Sequence, residues 1–254
     1  EDVDAPRNVP GAGSQILATL EASGFEWDGP VLWQSRRLAA YAEALDRLTS
    51  AGMAYGCACS RKEIADLATQ SASDGGFVYP GTCRNGLPEG RSARAWRLRV
   101  NDQEILFADR LQGLTGQRLA SDVGDFVLLR ADGCFAYQLA VAVDDDYQGI
   151  SEVVRGADLL ASTPRQILLQ RCLGYATPRY AHLPVAVNAA GEKLSKQTRA
   201  PALQAGQAAE DLVQALRFLG QAAPDDLGRA GVAEVWRWAH EHWSFAAIPR
   251  QSML

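Results

Sequence analysis

The chain has 254 residues, 47% hydrophobic and 22% charged, which suits one or two domains with real cores and excludes disordered and fibrous classes. With 25 Lys and Arg against 30 Asp and Glu the net charge is −5. No global positive charge holds nucleic acid, so any such partner must meet a local patch. No stretch approaches the roughly 18 consecutive apolar residues of a spanning helix, and the opening Glu1-Asp2-Val3-Asp4 is acidic where a signal peptide is basic and then apolar. A soluble, cytosolic protein without membrane contact is expected.

Residues 14–23 carry Ile16, Leu17 and Leu20 at helical spacing before Gly24, and residues 35–51 repeat the pattern with Leu38, Tyr41, Leu45 and Leu48 before Gly52. Between these two helices Trp27-Asp28-Gly29-Pro30 is a turn. From Cys57 the character changes: Ser60 with Glu63 three residues on is a capping box opening a short helix, and residues 71–90 are rich in Gly, Ser and Pro. The segment reads as an inserted subdomain. Residues 94–130 alternate like strands, notably 95–100 and 126–130, and Asp132-Gly133 is a hairpin-type turn.

Next come strand-like runs ending in charged residues or glycine: 139–143 before Asp144-Asp145-Asp146, and Val153-Val154 before Arg155-Gly156. Ser162-Thr163-Pro164 then starts a helix with Pro in its first turn. Strands alternating with helices predict an α/β fold with its site at the strand C-termini. From residue 201 two or three helices follow, with Leu212, Leu216 and Leu219 on one face and Val232, Val235, Trp236 and Trp238 in the next.

Five cysteines, at 57, 59, 83, 134 and 172, are too few and uneven for a disulfide framework. Cys134 and Cys172 read as plain buried thiols. Cys57-x-Cys59 with Tyr79-x-x-x-Cys83 offers three thiolates to a zinc ion that would clip a loop-rich segment; the fourth ligand is the Tyr79 phenolate or a water. The alternative is three unrelated small residues. Lys193 and Lys196 bracket Leu194-Ser195 in a loop after a strand over 182–187; such a loop holds phosphates or is merely solvated. Tyr137, Arg155 and Asp158 each fall near the end of a strand-like run, where the arginine captures a carboxylate or phosphate or pairs internally with Asp158 or Asp145. Arg84, Arg91, Arg94, Trp96, Arg97 and Arg99, against the single acid Glu89, follow a phosphate backbone or form a solvated strand face. His240-Glu241-His242 lacks the spacing of a helical zinc pair and reads as surface.

In this order the pieces resemble the glutamyl-queuosine tRNA(Asp) synthetase family, short paralogues of glutamyl-tRNA synthetase. The resemblance rests on Glu1-Asp2 with Pro6-Arg7, Trp27-Asp28-Gly29 to Trp33-Gln34-Ser35, the cysteine motif with Tyr79, Phe135-Ala136-Tyr137, Asp144-Asp145, Gln148-Gly149, Val154 to Leu159, His182-Leu183-Pro184 and Lys193-Leu194-Ser195-Lys196-Gln197. It implies a class I synthetase with a Rossmann-type α/β core over 1–56 and 92–200, a zinc-binding insertion over 57–91, a helical segment over 201–254, and no anticodon-binding domain. It further implies activation of glutamate with ATP and magnesium without tRNA, and transfer to queuosine in tRNA(Asp), by a monomer. Glu1 then resembles the acid for the substrate α-ammonium, Tyr137 and Arg155 the side-chain recognition groups, and Lys193 and Lys196 the lysines of the ATP loop. Cys57, Cys59, Tyr79 and Cys83 match the ligands of one structural zinc.

The sequence departs from the family at its start: the first strand and the HIGH-type ATP motif are expected upstream of Glu1, which predicts a truncated chain. The competing expectation is a non-catalytic, zinc-stabilised tRNA-binding or regulatory remnant of a glutamyl-tRNA synthetase. A small variant that charges the tRNA 3′ end is a further possibility.

Overall fold

The computed structural model describes residues 2–72, 75–194, 203 and 205–253. In chain order the elements are α1 (Ala12–Ala22), α2 (Leu38–Ser50), β1 (Ala54–Cys57), α3 (Arg61–Leu67), β2 (Ala95–Leu98), β3 (Glu104–Asp109), β4 (Gly113–Arg118), α4 (Leu119–Asp122) and β5 (Val127–Leu129). They continue with α5 (Tyr137–Tyr147), β6 (Glu152–Gly156), α6 (Thr163–Leu173), β7 (Arg179–Leu183), α7 (Ala208–Phe218) and α8 (Val232–His242). Two compact units emerge: Glu1–Arg7, Trp33–Val153 and Leu159–Tyr180 form the first, and Asn8–Leu32, Val154–Asp158 and Ala181–Leu254 the second. No helix among the described residues is long and apolar enough to cross a membrane.

The first unit builds the main core. Tyr41, Leu45 and Leu48 bury the inner face of α2 against Leu98, Leu128, Leu139, Ile167 and Leu169. The chain forms two sheets, in strand orders β1-β2-β5 and β4-β3-β7-β6. The first is antiparallel, with Tyr55 opposite Arg97 and Cys57 opposite Ala95. In the second, β3 and β4 form a hairpin while β3 and β7 run parallel, giving the mixed α/β architecture. The turn at Asp132-Gly133 is present: Gly133, at φ 81°, donates to the Arg130 carbonyl, and Leu129 pairs with Phe135.

Three expectations need correction. Residues 139–143 are not a strand but the middle of α5, because Leu139, Ala140, Ala142, Val143 and Asp144 bury one helical face; a run of five apolar residues does not distinguish the two by pattern alone. Tyr137 therefore opens a helix instead of ending a strand. The strand placed at 182–187 is β7, ending at Leu183, since Pro184 lacks the N–H a ladder requires. Cys134 and Cys172 are half-buried, short of the full burial expected.

In the second unit Val213, Leu216, Leu227, Val235 and Ala239 make a separate small core between α7 and α8. Trp236 donates its indole N–H to the Ser23 carbonyl at 2.8 Å and meets Phe25 edge-on at 5.1 Å. Gly24 is required there, since a Cβ on it would lie 2.7 Å from Val232 and 2.8 Å from Trp236.

Candidate functional site

The insertion is organised around a cysteine cluster. β1 delivers Cys57 at its end, the following residues bring Cys59, and the capping box of Ser60 with Glu63 then starts α3, with both reciprocal bonds formed. The Cys57, Cys59 and Cys83 sulfurs all lie within 4.8 Å of one another, with Cys59 and Cys83 3.7 Å apart. Tyr79 brings its Oη to 3.4 Å from Cys57 Sγ and 3.7 Å from Cys59 Sγ. A tetrahedral ion with sulfur ligands at about 2.3 Å and an oxygen at about 2.0 Å requires S···S edges of about 3.8 Å and S···O edges of about 3.5 Å. The Cys59–Cys83, Cys57–Tyr79 and Cys59–Tyr79 separations match the edges of such a site, and the remaining sulfur pairs lie within 4.8 Å.

Burial pushes the Cys59 thiol and the Tyr79 phenol above their usual ranges, and of Cys57, Cys59 and Tyr79 only Cys57 is lowered. The Ala58 N–H donates to Cys83 Sγ at 3.4 Å and the Cys83 N–H to Tyr79 Oη at 2.9 Å, orienting ligand atoms from behind. Arg97, 9% exposed, lies 3.9 Å over the Tyr79 ring. Burial works against ionisation of Cys57, but Tyr79 and Arg97 outweigh it and hold this thiol below its usual range. Tyr55, Cys57, Ala58, Tyr79 and Cys83 form only a small apolar cluster of their own, the situation in which a metal clip contributes most.

Arg155, Asp158 and Lys193 all fall in the second unit. Arg155 lies in β6 and donates through Nε to Nε2 of His182 in β7 at 3.0 Å. His182 is fully buried, and accepting at Nε2 places its own proton on Nδ1. This bond holds the guanidinium at its Nε edge. Lys193 is ion-paired with Asp158, the residue considered as a partner for Arg155. Lys193 stands on a turn in which the Asn188 side-chain oxygen accepts from the Ala190 and Glu192 amides, each at 2.9 Å. Tyr137 sits in the first unit as the first residue of α5, beside a cavity of about 470 Å³ that Gln138 and Arg165 also line. Glu1 and Lys196 lie outside the described residues.

Several braces escaped the sequence reading. Asp144, 4% exposed, accepts from Arg37 Nε at 2.7 Å, Tyr41 Oη at 2.7 Å and Gln34 Nε2 at 3.2 Å, tying α5 to the start of α2. Burial, and then the adjacent Asp144 charge, push the Tyr41 phenol well above its usual range. Near the N-terminus Asp2 accepts from the Ser35 amide and hydroxyl; burial opposes its charge, but these bonds outweigh it and keep the carboxyl below its ordinary value. Asp4 accepts from Arg130 at 2.9 Å. The acidic run at 144–146 was the visible signal, but its partners are remote in sequence.

The profile of a family described as class I tRNA synthetases (E and Q), catalytic domain, matches residues 1–231. The chain is 71% identical over 254 residues to the glutamyl-Q tRNA(Asp) synthetase of Dechloromonas aromatica (strain RCB), covering all of this chain and 84% of that protein. It is 61% identical over 251 residues to the protein of the same name from Aromatoleum aromaticum (strain DSM 19018 / LMG 30748 / EbN1), covering 99% of this chain and 79% of the other. The solved glutamate-tRNA synthetase from Elizabethkingia anophelis superposes with a TM-score of 0.74 at 21% identity, a likeness of fold, and the chain spans 60% of that longer protein. The matched profile and the identity across the whole chain show that it belongs to the glutamyl-Q tRNA(Asp) synthetases of the class I tRNA synthetase (E and Q) family, ligases of the aminoacyl-tRNA synthetase type.

Proposed function

We propose that the protein activates glutamate with ATP in the absence of tRNA and transfers the glutamyl group to the cyclopentenediol of queuosine in tRNA(Asp). In the first step an oxygen of the α-carboxylate attacks the α-phosphorus of ATP, forming glutamyl-adenylate as the bond to pyrophosphate breaks. In the second a cyclopentenediol hydroxyl attacks the adenylate carbonyl; an ester forms, the hydroxyl proton is lost to solvent, and AMP leaves. The observation that carries this reading is the guanidinium of Arg155, held at its Nε edge by buried His182 at 3.0 Å, in a chain 71% identical to a glutamyl-Q tRNA(Asp) synthetase.

Arg155 forks onto the γ-carboxylate and, with Tyr137, selects glutamate; glutamine presents an amide N–H where the fork requires an acceptor and is rejected. Glu1 takes the α-ammonium. Lys193 and Lys196 hold the triphosphate of ATP with its magnesium and neutralise charge as the α-phosphorus is attacked, a contribution of positioning and electrostatics. For Lys193 this means exchanging the Asp158 carboxylate for phosphate. One structural zinc held by Cys57, Cys59, Tyr79 and Cys83 fixes the fold of the insertion. The protein acts as a cytoplasmic monomer.

The test is transfer of labelled glutamate to purified tRNA(Asp). Queuosine-containing tRNA(Asp) lacking its 3′-terminal adenosine is expected to accept, and intact tRNA(Asp) without queuosine is not. The reverse pattern overturns the reading in favour of ordinary 3′-end charging.

A further inference from the structure

The structure sorts the arginines of the insertion and its neighbours into two sets. Arg84 pairs with Asp125 and donates to the Val100 carbonyl at 2.7 Å, and Arg91 pairs with Glu63 at 2.7 Å. Arg97 is buried and donates to the Asp125 carbonyl at 2.7 Å, and Arg99 covers the Tyr55 ring at 4.7 Å. These four hold the fold together, so the basic run is for the most part neither a phosphate track nor a solvated face.

Arg61 and Arg94 differ. Both are exposed, and neither makes a side-chain hydrogen bond, ion pair or ring contact among the described residues. Both line one cavity of about 510 Å³, together with Arg97 and Arg130. Among the described residues its one acidic lining residue, Asp132, is ion-paired with Arg130. Arg130 is thus matched by Asp132 and Asp4, whereas Arg61 and Arg94 add two further cations to this concave surface with no carboxylate partner among the described residues, in a chain whose net charge is −5. Such convergence is repulsive by itself and becomes favourable when an anion enters. Planar guanidinium forks match phosphate oxygens in particular. The second cavity, of about 470 Å³, shares Arg61, Arg97 and Ala136 with the first and reaches Tyr137.

We propose that this cavity binds phosphodiester groups of the RNA substrate, with Arg61 and Arg94 contacting non-bridging oxygens, and that it is the face on which tRNA docks beside Tyr137. The inference rests on the tRNA substrate proposed above, and it assigns that substrate a surface. Among the described residues the two arginines have no side-chain partner to lose, so their replacement is expected to leave the fold intact.

The test measures tRNA(Asp) binding by the full-length protein between 50 and 200 mM salt, for Arg61→Gln, Arg94→Gln, the double variant and Arg94→Lys. Arg229→Gln, an exposed change in the second unit, is the control. At a slope of about 0.9 per phosphate contact, one contact is worth about fivefold at 0.15 M salt, so the pair is worth about thirtyfold. The slope of log K against log salt is expected to fall by about two in the double variant. Arg94→Lys retains the salt slope, and Arg229→Gln binds as the parent does. Glutamate-dependent ATP–pyrophosphate exchange without tRNA stays unchanged in all of them. Parental affinity and slope in the double variant overturn the inference. So does a raised KM for ATP with tRNA binding intact, because the phosphate source is then a free nucleotide. Exchange that never depends on glutamate, with tRNA binding lost as expected, defeats the proposed reaction and leaves the docking face standing.

Discussion

Replacing Asp144 by alanine removes an acceptor shared by Arg37, Tyr41 and Gln34. The Asp144 side chain is 6% exposed and that of Arg37 17%, so a largely desolvated guanidinium is left without its carboxylate, and the fully buried Tyr41 loses the acceptor for its hydroxyl. Breaking a buried pair by removing one partner costs about 3–5 kcal/mol. At about 2–4 °C per kcal/mol for a unit of this size, the midpoint of thermal unfolding falls by about 6–20 °C. Tyr41→Phe deletes only one hydrogen bond to the same carboxylate and costs less, about 1.5–3 kcal/mol. Differential scanning calorimetry of the two variants ranks them. A midpoint for Asp144→Ala within about 2 °C of the parent refutes the claim that this carboxylate anchors α5, and with it Tyr137, to α2.

Cys83→Ser weakens metal binding by more than about 100-fold, since outer-shell partners alone are worth about 10–100-fold; chelator competition measures it, and one tightly held zinc per variant chain contradicts the ligand assignment. Glu63 is held at a pKa of about 2 by Arg91 and then by the Ser60 amide, against an ordinary 4.5. A depressed folded-state pKa stabilises above the unfolded value, so the stability advantage of the parent over Glu63→Gln is full at neutral pH and disappears as pH falls from 4.5 toward 2. Denaturant unfolding as a function of pH checks this, and a pH-independent difference defeats it. His182→Leu removes the acceptor for Arg155 Nε, a charged hydrogen bond worth about 1.5 kcal/mol, so KM for glutamate rises about tenfold while KM for ATP holds; equal changes in both show a merely structural effect.

What was legible in the sequence was local. Ser60 and Glu63 are three residues apart, and both capping bonds form because nothing beyond one helical turn is involved. The same holds for Asp132-Gly133 and for Pro164 at the start of α6. Tyr41, Leu45 and Leu48 are buried as their spacing predicts, whereas Leu38 on the same stripe is 48% exposed, because a stripe does not show where its partner surface ends. Residues 139–143 read as strand or helix alike, because the two share so short an apolar pattern. The cysteine motif was readable from spacing, but Arg97 was not recognisable as the buried cation over Tyr79, 18 positions away. Asp144 draws its partners from 103 to 110 positions upstream, and no local pattern encodes such a contact. His182 likewise reads as one more strand residue until β6 and β7 are adjacent.

ATP–pyrophosphate exchange by the full-length protein without tRNA, with each amino acid in turn and with Lys196→Ala beside the parent, probes glutamate activation itself. Exchange is expected with glutamate alone, not with glutamine, and is expected to be abolished in Lys196→Ala at unchanged thermal stability. Exchange driven equally by glutamine, or near-parental exchange in Lys196→Ala, contradicts that expectation.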